Sequence, residues 1–156
     1  MPDIATVWNA AVQCGDWSIA ANDLASDAGL ATAVTISLAT DRHADSDDTL
    51  PAGGADPRGW WGDIPAGGGP ADPWGSKFWL RKRALLTSDL ANTLAGDARQ
   101  ALQWLIDDGV AASVAVTASQ QSPPLGTILL TIAINRAAGA VFASPVFTTI
   151  WAVPVA

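Results

Sequence analysis

The chain has 156 residues, 49% of them hydrophobic and 15% charged, which excludes disorder and lets one domain bury roughly 70% of its unfolded surface. A net charge of -7 with eight Lys and Arg argues against nucleic acid as a partner, because a phosphate-binding patch would have to be gathered against an acidic background. Cys14 is the single cysteine, so an intramolecular disulfide and a cysteine-cluster zinc site are excluded.

The N-terminus carries Asp3 and no basic stretch ahead of an apolar run, so it does not read as a secretory signal. Ile4, Val7 and Trp8 lead to Cys14-Gly15-Asp16-Trp17. Gly-Asp between apolar stretches is turn chemistry, so the spacing predicts a short hairpin that returns through Trp17 and Ile19. From Gly29 to about Thr40, Leu30, Val34 and Leu38 recur every four residues, with Ala33 and Ile36 widening the stripe. That is an amphipathic helix, despite the lower propensity of Thr32 and Thr35.

Residues 41–76 change character: they hold most of the glycine, half of the proline and many Asp, with no periodicity, and read as a long loop. Trp60, Trp61 and Trp74 lie in it. A solvated linker does not keep such side chains in water, so the tryptophans are expected to pin the loop to the domain or to another chain. A long helix is expected over Thr87–Asp108, with Thr87 or Ser88 as N-cap, Asp89 in the first turn and Gly109 after the last. Leu86, Leu90, Leu94, Ala98, Ala101, Leu102, Leu105 and Ile106 form its buried stripe, while Asp107 and Asp108 sit at the unfavourable end of the dipole.

Val110, Ala112, Val114, Val116 and Ala118 then alternate onto one face, a Ser122-Pro123-Pro124 break follows, and Ile128, Leu130, Ile132 and Ile134 share one face. These read as adjacent antiparallel strands. The last twenty residues carry no side-chain charge, but Ser144, Pro145, Thr148 and Thr149 interrupt them. They read as an apolar extension, 137–156, with a strand over 146–153, and not as a membrane span. The expected architecture is α+β: a mainly antiparallel sheet with two helices on one face, a Gly/Pro/Trp-rich loop over 41–76, and a single domain over 1–136.

No motif supports catalysis. His43 is the only histidine and no G-x-S-x-G, Walker or G-x-G-x-x-G pattern occurs, so no catalytic residues, metal or cofactor are assigned. Gly67-Gly68-Gly69 follows no strand and opens no helix, and reads as a flexible turn. Asp41, Asp45, Asp47 and Asp48 could supply oxygen ligands to a hard cation or an acid–base pair, but the spacing lacks the glycine and terminal Glu of a calcium loop. Tryptophans beside Asp also suggest a carbohydrate-binding or glycan-cleaving groove, the alternative from a different functional class.

The segments Leu30–Arg42, Gly59-Trp60-Trp61-Gly62-Asp63, Gly75-Ser76-Lys77-Phe78-Trp79-Leu80 and Ala101–Ala111 resemble, in order and spacing, the small baseplate protein family of Mu-like contractile phages. The resemblance covers roughly residues 16–136. It implies distant kinship with the wedge protein that initiates the tail sheath, an α+β fold and no catalysis. It also implies a subunit of the virion tail, assembled in the host cytoplasm in multiple symmetric copies and bound to other baseplate wedge, hub and sheath subunits, with no nucleic acid or membrane partner. The chain departs from the family pattern in carrying His43 where a second Arg usually stands, and in the stretch from Ala137 onward.

For such a subunit the resemblance makes Trp60, Trp61, Trp74 and Trp79 candidate anchors on a neighbour, with Trp104 read as core. Asp63 is expected to form an ion pair with Arg58, Lys77 or Arg81. Lys77 and Arg81, with Lys82 and Arg83, form either a docking patch for an acidic neighbour or a solvated helix start. The strand 146–153, with Phe147, Ile150 and Trp151, either adds to another subunit's sheet or completes this chain's own.

Overall fold

The computed structural model describes residues 3–9, 14–27, 30–51, 54–63, 73–82, 84, 87–121, 127–136 and 151–154. The chain begins as a ribbon of short antiparallel pairs. β1 (Asp3–Ile4) pairs with β6 (Ser26–Asp27), β2 (Thr6–Asn9) with β3 (Cys14–Trp17), and β4 (Ile19–Ala20) with β5 (Asp23–Leu24). The expected hairpin forms with its return through Trp17, but Ile19 lies in β4, and Gly15 and Asp16 lie inside the return strand, opposite Trp8 and Val7, and not in the turn. A second reversal closes β4 on β5 through Ala21 and Asn22, both left-handed at φ 52 and 65. Paired left-handed residues suit the strand twist of a two-residue hairpin, and only the Asn advertises it.

Helix α1 spans Ala31–Ala39 and buries Val34 and Leu38 as expected. Ile36 is exposed, however, and Thr32, Thr35 and Ser37 are buried instead. The reason is polar: the Thr32 hydroxyl accepts from the Thr6 N–H at 3.1 Å and donates to the Ile4 carbonyl at 3.2 Å, which roots the ribbon on the helix. The Ser37 hydroxyl donates to the Ala33 carbonyl one turn back, as hydroxyls inside helices do.

The expected single helix over 87–108 is two. α2 runs Ser88–Ala101, and α3 runs Trp104–Asp107 after a break at Leu102 and Gln103. At the break the Leu102 N–H is shared between the Ala98 and Arg99 carbonyls, and the next bonds tighten to three-residue spacing. Thr87 is the N-cap, its hydroxyl accepting from the Leu90 N–H at 3.1 Å. Leu90, Leu94, Ala98, Ala101, Leu102 and Leu105 are buried, Ile106 only partly. Leu86 lies outside the described residues.

β7 (Ala111–Gln121), β8 (Thr127–Arg136) and β9 (Trp151–Pro154) form one antiparallel sheet in the order β7-β8-β9. Ile128, Leu130, Ile132 and Ile134 are buried on one face of β8, and Val116 joins them from β7. Ala112 does not. A bulge between Ala111 and Ser113 shifts the register, so Ala111 is buried and Ala112 exposed. The Ser122-Pro123-Pro124 break lies outside the described residues. In the C-terminal extension, residues 151–154 pair with this chain's own β8, from Thr127 opposite Pro154 to Leu130 opposite Trp151. They complete the sheet internally, and Phe147, Ile150 and the side chain of Trp151 lie outside what is described.

The buried sheet face meets α2, α3 and α1 in one core that includes Leu94, Leu102, Leu105, Ile128, Leu130 and Ile132, all essentially inaccessible. Each such side chain contributes about 1.5–3 kcal/mol over its exposed state. The Arg99 guanidinium donates to the Val116 carbonyl at 2.9 Å and ties α2 to β7. The outer sheet face, with Ser113, Ala115, Thr117 and Ser119, is open to water, so the fold is the two-layer α+β arrangement expected.

Candidate functional site

Between α1 and α2 the chain is ordered by side chains in place of regular structure. As it leaves α1 it forms a one-rung parallel bridge with the segment after the loop: Arg42 N–H donates to the Ser76 carbonyl at 3.0 Å and Ser76 N–H to the Thr40 carbonyl at 2.9 Å. The Ser76 hydroxyl adds a bond of 2.6 Å to the Leu38 carbonyl. Gly75 makes this approach feasible: its φ is 101°, and a Cβ there would stand 2.4 Å from the Thr40 oxygen.

Four ion pairs, made by three basic residues, staple the segment. Lys77, buried, places its ammonium 2.7 Å from Asp45 Oδ2 and 2.5 Å from Asp48 Oδ2. Arg58 lies 2.5 Å from Asp41 Oδ2 with its guanidinium over the Trp79 ring, 4.7 Å from the centroid. Arg81 Nε is 3.2 Å from Asp97 Oδ2 on α2. Desolvation opposes ionisation of Asp48, but bonds from Lys77 and the Asp45 N–H, with the lysine's charge, hold its carboxyl below the ordinary value. Burial likewise works against charged Lys77, and the two aspartates more than reverse it, raising the ammonium's pKa. Burial pushes the Asp97 carboxyl up, against the pull of Arg81.

Asp63 does not form the expected ion pair. Its two oxygens accept from backbone, Oδ1 from the Trp74 N–H at 2.9 Å and Oδ2 from the Trp60 N–H at 3.3 Å. The basic residues thought available to it are held by Asp41, Asp45, Asp48 and Asp97. Lys77 and Arg81 are thereby paired within the chain, Lys77 buried and Arg81 partly exposed, while Lys82 is exposed and Arg83 lies outside the described residues. Of the four aspartates read as a possible cation or sugar site, Asp41, Asp45 and Asp48 are engaged in these pairs; among the described residues Asp47 forms none, and no group that could hold a metal ion occurs.

The tryptophans of this region lie in three settings. Trp79 is 3% exposed, donates its indole N–H to the Arg42 carbonyl at 2.8 Å, and packs with Ala44 and Leu80 in a small second core. It is an internal anchor, not a surface one. Trp74 is half-buried with its ring 5.3 Å from that of Trp104, whose indole N–H donates to the Ser37 hydroxyl at 3.1 Å. A cavity of about 330 Å3 opens beside that pair, lined by Arg42, Trp74, Gly75, Gln103, Trp104 and Asp108. Trp60 and Trp61 face water, 44% and 84% exposed, with ring centroids 5.3 Å apart. Trp60 folds back over Gly62, where a Cβ would meet its ring at 2.3 Å, and a 3-10 turn over Trp61–Asp63 carries the Asp63 clamp.

The family model described as phage protein GP46 matches residues 30–141. The chain belongs to this family. It is 39% identical to the baseplate protein gp46 of Escherichia phage Mu over 141 residues, 90% of this chain and 92% of that protein. It is 37% identical to the Mu-like prophage FluMu protein gp46 of Haemophilus influenzae over 134 residues, 86% of this chain and 87% of that protein. The family match takes in α1, the stapled segment, α2, α3, β7 and β8; the N-terminal ribbon precedes it. Missing from the sequence reading were the specific ion pairs, whose partners lie 16 to 32 residues apart. The one local hint was Asp45 and Asp48, three residues apart and closing a turn through the Asp48 N–H and the Asp45 carbonyl.

Proposed function

We propose that the chain is a non-catalytic structural subunit of a contractile phage tail baseplate, present in the virion, and that it docks on a neighbouring subunit through Trp60 and Trp61. The baseplate assignment is supported by family membership and by the name of the phage Mu relative. The docking surface rests on one observation: two adjacent indoles stand in water, the Trp60 ring lying over Gly62, on a turn whose backbone the buried Asp63 carboxylate clamps. Exposed paired tryptophans bring an isolated chain no stability, whereas aromatic side chains at the centre of an interface carry much of its binding energy. The cavity lined by Trp74 and Trp104 is a further recess that could take a partner's side chain. Wedge, hub and sheath subunits are the proposed neighbours, and several copies would take part in a symmetric assembly.

The test is the double variant Trp60→Ala/Trp61→Ala. Its circular dichroism and urea midpoint should match wild type, since surface substitutions fall within about 0.5 kcal/mol. Its recovery in purified tails should collapse, at roughly 2 kcal/mol or more for each anchor removed. Variant tails of normal composition and infectivity would refute the docking role, and a chain that fails to fold would move the pair into the core.

A further inference from the structure

Among the described residues, the N-terminal ribbon carries the largest group of exposed apolar side chains that the tryptophan site leaves unused. Ile19 is 79% exposed and Trp17 65%, and Ile4, Val7 and Leu24 are also exposed. The root of the ribbon is fixed: Thr32 holds Thr6 and Ile4 on α1, and Trp8 packs against the main core. Its tip is not so supported. Ile19 faces Leu24 across the Ala21-Asn22 turn in a hairpin of two rungs, and so short a pair is marginal in water without something to cover it.

Charge says what covers it. Across residues 1–41 every ionisable side chain except Cys14 is acidic, Asp3, Asp16, Asp23, Asp27 and Asp41, and the first basic residue is Arg42. Asp16 and Asp23 each accept from the backbone N–H of the next residue, Trp17 and Leu24, and form no ion pair among the described residues. A second copy of the same ribbon would bring acid against acid, and an anionic lipid surface or a nucleic acid would repel it equally. An apolar surface rimmed by Lys or Arg would satisfy both features at once.

We propose that the β4–β5 tip is a second docking arm, which seats Ile19 and Leu24 in an apolar groove flanked by basic residues on a tail protein other than this chain. The proposal rests on the baseplate reading and is independent of Trp60 and Trp61. Its test uses intact tails carrying Ile19→p-benzoylphenylalanine, irradiated and mapped by mass spectrometry. The expected product joins residue 19 to a different tail protein, within a few residues of Lys or Arg. Attachment to another copy of this chain, to its own residues, to lipid, or to nothing overturns it. In parallel, Asp16→Lys/Asp23→Lys should lower recovery in tails about tenfold or more with melting unchanged, and Asp16→Glu/Asp23→Glu should restore it; equal recovery of the Lys variant overturns the charge argument. Absence of the wild-type chain from purified tails would sink the baseplate reading itself, whereas its presence without attachment sinks the arm alone.

Discussion

Lys77 shows how single residues hold this molecule together where secondary structure does not. A buried ammonium is tolerated only with partners, and Asp45 and Asp48 supply them from a turn some thirty residues earlier. Asp48→Asn should cost about 1–3 kcal/mol at pH 7 by urea denaturation, because it leaves Lys77 with the more exposed Asp45. The sign with pH follows from the lowered Asp48 pKa. Its contribution is full above the ordinary value of 3.8 and is lost as pH falls through the folded value, so variant and wild type should converge in acid. Asp97 runs the other way: its carboxyl is raised by burial, so its contribution is present below 3.8 and lost as pH rises. A gap between wild type and Asp48→Asn that stays constant down to pH 2.5 would refute the assigned linkage. Composition alone announced none of this pairing, because charge complementarity between residues far apart in the chain leaves no local pattern.

Among the elements, those whose signals are local were readable and those imposed by packing were not. Thr87 as N-cap, the α2 stripe and the β8 alternation follow from spacing, since capping and amphipathic periodicity act within a few residues. Thr87→Ala should therefore lower stability by about 1 kcal/mol while leaving the helical circular dichroism signal of the folded state intact. An unchanged urea midpoint would show the cap to be ornamental. The break at Leu102 carries neither glycine nor proline. It places Trp104 on Ser37 and Trp74, contacts that join residues 67 and 30 positions apart. The bulge that turns Ala112 outward is equally silent, because alternation in the sequence continues straight through it. The Trp60-Trp61 pair stood out as an aromatic cluster, but separating it from buried Trp79 required the burial itself.

Taken together these parts imply a graded molecule. The main core joins three helices to the sheet through buried side chains, several of them with no accessible surface. The stapled segment has a small core of its own, Ala44, Trp79 and Leu80, held by ion pairs, and the ribbon tip pairs over two rungs with its apolar side chains exposed among the described residues. Opening free energy should fall in that order, since local unfolding follows buried apolar contact. Native-state hydrogen exchange should find β8 amides released only on global unfolding, the Trp79 indole N–H earlier, and Ala20 to Leu24 first. In Asp48→Asn the Trp79 indole should exchange faster by about the factor that its stability loss sets, roughly tenfold per 1.4 kcal/mol of segment opening, while the β8 amides shift only with global stability. Uniform protection across the three regions would mean one cooperative unit, and would remove the physical basis for a rigid platform carrying two less stable surfaces. The proposed assembly uses that gradation, because the Asp63-clamped turn offers its tryptophans on a set backbone while the two-rung ribbon tip can adjust against a neighbour, above a sheet and helices that stay fixed.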